Sequence, residues 1–141
     1  MHAEPATWGR MWCLRLNPGE DVLRALQQAV HELEVRDGAF LGGIGSLTSY
    51  HVHVVSSTDL PPENAYMKGE GPYDILAITG HVFGGRVHAH LTFSDTEIAM
   101  GGHLEEGCSV LTFAMVTLAE LLDTDMANWD RVGPLGSPIA R

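Results

Sequence analysis

Hydrophobic and polar positions divide the chain into one helical stretch and a succession of alternating runs. Residues 8–16 form an apolar run broken by Arg10 and Arg15 and read as a strand. Asn17-Pro18-Gly19-Glu20 follows, which predicts a helix with Asn17 as N-cap and proline in its first turn. Val22, Leu23, Leu26, Ala29, Val30 and Leu33 then recur at helical spacing, and the helix is expected to end near Asp37-Gly38. Beyond it lie six short β-like runs, at residues 39–44, 49–56, 73–83, 87–93, 97–104 and 108–118. The last turns helical around residues 118–122 in this reading. Residues 58–71 read as the longest loop, and residues 133–141 as a flexible tail. The pattern predicts an α+β single domain spanning residues 1–141. Its core covers about 8–123, with a mostly antiparallel sheet of about seven strands and one main helix near the N-terminus.

The run RVHAHLTFSDTEIAMGGHL carries the chemistry. Residues two apart on a strand share a face, so His88 and His90 point one way while Val87, Ala89, Leu91 and Phe93 point the other. A hairpin pairing Phe93 with Ile98, Leu91 with Met100 and Val87 with Leu104 gathers the apolar residues on one face. In that register His88 faces His103 and His90 faces Gly101, so three imidazoles converge. Three histidines with an open fourth position match a zinc arrangement, although nickel, copper and iron also accept imidazole. His51-Val52-His53 has the same spacing without a third histidine placed by any inferred register, and reads as a polar strand face. His81 is a further residue able to approach from a neighbouring strand, and His31 reads as helix surface.

Composition narrows the functions on offer. Eight basic against 18 acidic residues give a net charge of -10, which disfavours unaided nucleic-acid binding. The two cysteines, Cys13 and Cys108, lack the C-x-x-C spacing of zinc ribbons and read as reduced core thiols. No apolar run approaches membrane-spanning length, and MHAEPATWGR does not resemble a secretory signal, so the expected location is the cytoplasm.

GRVHAHLTFSD and GGHL, preceded by LNPGEDVLRAL, FLGGIGSL and GPYDILAITG in order, resemble the plants-and-prokaryotes-conserved (PPC) domain family across nearly the whole chain. The likeness is to prokaryotic stand-alone members without an AT-hook. That resemblance implies an antiparallel sheet flanked by helix, a homotrimer, and a metal site at His88, His90 and His103. Plant members add AT-hook segments that bind DNA through an R-G-R-P core, which is absent here, and Lys68 is the only lysine. The plant G-R-F-E-I-L recruitment segment reads GPYDIL, with Pro72 in place of arginine.

The leading expectation is therefore a trimeric zinc-binding module, with space at the metal for a small-molecule ligand. A DNA-binding or transcription-associated protein is the alternative. A metal-dependent hydrolase is a further one, with Asp95, Glu105 and Glu106 as candidate bases and Cys108 as a weaker nucleophile. Arg15 and Arg86 are candidates for holding an anionic substrate. The glycines of FLGGIGSL fit close strand packing better than a phosphate cradle, since no P-loop lysine accompanies them.

Overall fold

In the computed structural model, which describes residues 1–136, the chain runs β1 (Thr7–Leu16), α1 (Val22–Glu32), β2 (Gly38–Val55), β3 (Asn64–Phe83), β4 (Arg86–Ser94), β5 (Ala99–Leu104) and β6 (Val110–Leu122). Helix α1 buries Val22, Leu26 and Val30, one residue per turn on a single stripe. Its N-cap is Asp21, whose side chain accepts from the Arg24 N–H at 3.0 Å, not the expected Asn17. Residues 17–20 form a turn in which Gly19 has φ of 84°, and the Gly19 N–H donates to the Val110 carbonyl. That donor is committed to the sheet, so the helix starts later than the proline suggests. It also ends earlier. Glu34 takes φ of 54° and the Val35 N–H returns to the Val30 carbonyl at 3.0 Å, which terminates the helix with Val35 buried.

The six strands pair antiparallel in the order β1-β6-β2-β3-β4-β5, and β5 turns back to pair with β2. Strands β2 to β5 thus close on themselves, which covers part of the β5 edge and leaves β1 as an edge strand. Two long strands make this possible. β2 runs through both of the expected strands at 39–44 and 49–56, pairing with β6 over its first half and with β5 at Val52 and His53. β3 begins at Asn64 within the expected long loop, and residues 118–122 are strand where a helical turn was expected. Six strands replace the expected seven, and the single domain is mostly β with one short helix.

The core between α1 and the curved sheet holds Leu26, Leu47, Val52, Ile78, Leu91, Phe93, Leu104 and Leu118, all fully buried. Close strand approach accounts for the glycines. A Cβ on Gly43 would lie 2.9 Å from the Ile78 Cβ, and one on Gly102 would lie 2.5 Å from the His53 carbonyl oxygen. Of the two free cysteines Cys108 is buried, but Cys13 is exposed on β1 and is not a core thiol.

Residues 124–130, expected as the start of an extension, dock on the body. Met126 is buried, and its N–H donates to Asp37 Oδ1, which also accepts from the Gly84 N–H. Residues 137–141 of the expected tail lie outside the described residues. No helix among the described residues is long and apolar enough to cross a membrane.

Candidate metal centre

His88 and His90 stand on the face of β4 opposite the buried Ala89 and Leu91, as alternation predicts. The hairpin register differs from the expected one by two residues: Phe93 pairs with Met100, Leu91 with Gly102, and His90 with His103. The turn explains the shift. Asp95 Oδ1 accepts from the N–H groups of Glu97 and Ile98 at 2.7 and 2.8 Å, so Ile98 belongs to the turn and is exposed. A two-residue slip keeps every side chain on its face, so the convergence survives. His88, His90 and His103 bring ligand atoms within 4.8 Å of one another. Their ring centroids are 4.6 Å apart for His88–His103, 5.4 Å for His90–His103 and 5.8 Å for His88–His90.

Burial favours the neutral ring at His103 and His90. Burial, reinforced by His88, His53 and His90, pushes the His103 pKa down to about 4 against the pull of Glu105. His90 is lowered by burial and then by His88 and His53. Neutral imidazoles keep the lone pairs that a metal requires. The donor set therefore fits a divalent cation of the zinc type.

Asp130 orients His88. Arg86 clamps this carboxylate through Nη1–Oδ2 at 3.1 Å and Nη2–Oδ1 at 2.9 Å, and Asp130 Oδ2 lies 3.3 Å from His88 Nδ1. The Arg86 hydrogen bonds hold the Asp130 pKa below the usual carboxylate range, so the carboxylate can only accept. His88 Nδ1 must carry the hydrogen, which leaves Nε2 free as a ligand. Arg86 is thus committed to Asp130 and is not free to hold a substrate. Sequence reasoning missed Asp130, since it lies 42 residues from its histidine in a segment with no periodic pattern.

His53 was also missed. Closure of β5 onto β2 places it directly across from His103, with ring centroids 4.5 Å apart, and its Nδ1 is 2.6 Å from Glu105 Oε1. The H-x-H spacing was its only signal, and nothing local reveals the barrel closure. His51 instead donates through Nδ1 to the Glu106 carbonyl. His81 pairs with His88 across β3 and β4 but stacks on Phe83, outside the ligand group.

The remaining candidates disperse. Glu106 pairs with Arg24 at 2.6 Å, Asp95 caps its own turn, and Arg15 bonds Asn17 Oδ1 and lies over the Phe113 ring. Burial pushes the Cys108 thiol up to about 11, which leaves it inert. Of the three acidic candidates only Glu105 reaches the histidines.

Residues 3–122 match the Plants and Prokaryotes Conserved (PCC) domain, the family also abbreviated PPC. The chain belongs to this family. Similar solved structures include a hypothetical protein from Salmonella, 28% identical with a TM-score of 0.72 over 85% of this chain and 83% of that one. A PPC protein from Pyrococcus horikoshii is 24% identical, with a TM-score of 0.75 and 89% and 87% coverage. A metal-containing protein from Archaeoglobus fulgidus is 21% identical, with a TM-score of 0.74 and 86% of both chains covered. Among curated relatives, a bifunctional protein GlmU from Synechococcus is 31% identical over 115 residues, 81% of this chain. The chain spans only 18% of that relative's length. The PCC match stops at residue 122, so Asp130 reaches the histidine cluster from outside it.

Proposed function

We propose that this PCC domain is a metal-binding module that holds one divalent cation, best matched by zinc, through His88, His90 and His103. The convergence of three imidazoles within 4.8 Å carries the reading. Burial lowers the pKa of His90 and His103, and Asp130 presents His88 Nε2. The Archaeoglobus relative, of the same fold, is described as metal-containing, which lends support. A homotrimer is part of the same reading, supported by apolar side chains such as Ile44 and Met115 on the outer sheet face.

Bound to three histidines, a zinc-type cation would supply a Lewis-acid position for a small oxygen or nitrogen ligand. A hydrolytic role has thinner support, because Glu105 is the one acidic candidate beside the histidines and is already hydrogen-bonded to His53. A DNA-associated role runs against the net charge of -10, and binding that weakens steeply with salt is its test.

Elemental analysis of purified protein, with His88→Ala and His103→Ala beside the wild type, tests the metal reading. Near-stoichiometric metal in the wild type and strong depletion in both variants is the expected result. Metal retained unchanged by both variants would refute it.

A further inference from the structure

His103 belongs to two clusters. Paired with His90 on β4, it is also paired with His53 on β2, and His53, His103 and Glu105 likewise bring ligand atoms within 4.8 Å of one another. Two imidazoles and one carboxylate are a donor set that holds zinc or ferrous iron with coordination positions to spare. The cluster is built by the fold. Its closure depends on Gly102, where any side chain would strike the His53 carbonyl, and the His53 and Glu105 side chains are only 17% and 27% exposed. The His103 ring is common to both clusters, 4.5 Å from the His53 centroid and 4.6 Å from that of His88.

We propose that His53, His103 and Glu105 form a second divalent-cation position, sharing His103 with the three-histidine position. The sharing of His103 rests on the reading that the three-histidine position holds a cation. It is the weaker of the two for a chemical reason. A neutral imidazole has one free lone pair, so a His103 already given to the three-histidine position is a poorer donor to the second. Filling the second position must also disrupt the 2.6 Å contact between His53 and Glu105. The first cation therefore seats on the three histidines, and the second follows at higher metal concentration.

Zinc titration of metal-free protein, followed by calorimetry and native mass spectrometry, tests this. Wild type should take up two zinc ions per chain, the second more weakly. Glu105→Gln and His53→Ala should each keep the tight ion and lose the weak one. The His88→Ala/His90→Ala double variant should lose the tight ion and retain one weak ion, which the further change Glu105→Gln removes. Glu105→Gln preserves size and hydrogen bonding, and circular dichroism confirms that each variant is folded. A wild type that saturates at one zinc ion per chain, or Glu105→Gln and His53→Ala proteins that still bind two, would overturn the second position and leave the first intact. A wild type that binds no zinc would instead overturn the three-histidine reading itself.

Discussion

Asp130 shows how much of a site a single remote residue can set. The clamp from Arg86 leaves it about one-eighth exposed and ionised, and one of its oxygens meets His88 Nδ1. Carboxylates in this position fix the tautomer of a ligating imidazole and raise its basicity, and their loss typically weakens metal affinity by about 10–100-fold. Asp130→Asn should fall in that range, since the amide can offer its N–H where the carboxylate only accepted. Nitrogen-15 NMR of the metal-free protein should show His88 protonated at Nδ1 in the wild type and a mixture of tautomers in Asp130→Asn, with Asp130→Glu partly restoring the wild-type pattern. Equal zinc affinity and an unchanged His88 tautomer in Asp130→Asn would rule out this positioning role. His103 supports a second prediction at this scale. Its pKa is about 4 in the folded protein against 6.5 for the ordinary group, so between those values the unfolded chain binds the extra proton. The stabilising difference is fully present above pH 6.5 and is lost as the pH falls toward 4. The urea midpoint of metal-free protein should decline from pH 6.5 to 5, a window in which the carboxylates remain ionised. His103→Gln should flatten that decline, and an equally steep decline in the variant would assign the effect to other groups.

At the scale of elements, alternation revealed the faces of the side chains within strands β4 and β5, because parity along a strand has only two outcomes, though not that Ile98 lies in the turn. It could not reveal the two-residue slip, which preserves parity and depends on the side chain of Asp95 enclosing Ile98 in the turn. The amphipathic stripe of α1 was equally legible, whereas its first residue was not. Asn17-Pro18 has the composition of a helix start, yet the Gly19 N–H donates to β6, a partner some 90 residues away that no local pattern discloses. The same limit separates the two halves of the histidine cluster. His88, His90 and His103 sit on adjacent strands of one hairpin, so short-range periodicity brings them together. His53 arrives only because β2 is long enough to serve one neighbour with its first half and another with its second. Splitting β2 in two at its glycines hid that double use, and with it the second cluster.

For the molecule as a whole, the helix covers one side of the sheet and leaves apolar side chains exposed on the other. Ile44 on β2 and its cross-strand partner Met115 on β6 are 58% and 44% exposed, and Met11 on β1 is 56% exposed. Their side chains gain nothing from water, and exposed apolar residues of this kind are what an interface on a small domain would cover. Helix α1 cannot cover them, because Val22, Leu26 and Val30 are already committed to the core on the opposite side. A second copy of the chain is the simplest cover, and a cyclic trimer buries the same residues three times over through heterologous contacts. Light scattering should then give three chains per particle at micromolar concentration. Ile44→Lys or Met115→Lys places a charge that must be desolvated in each contact, so either change should shift the particle toward one chain while circular dichroism stays unchanged. Wild-type protein that scatters as a single chain under those conditions would remove the trimer from the reading. Zinc uptake by the lysine variants reports separately on the metal centre: its donors all come from one chain, so stoichiometric binding should survive dissociation.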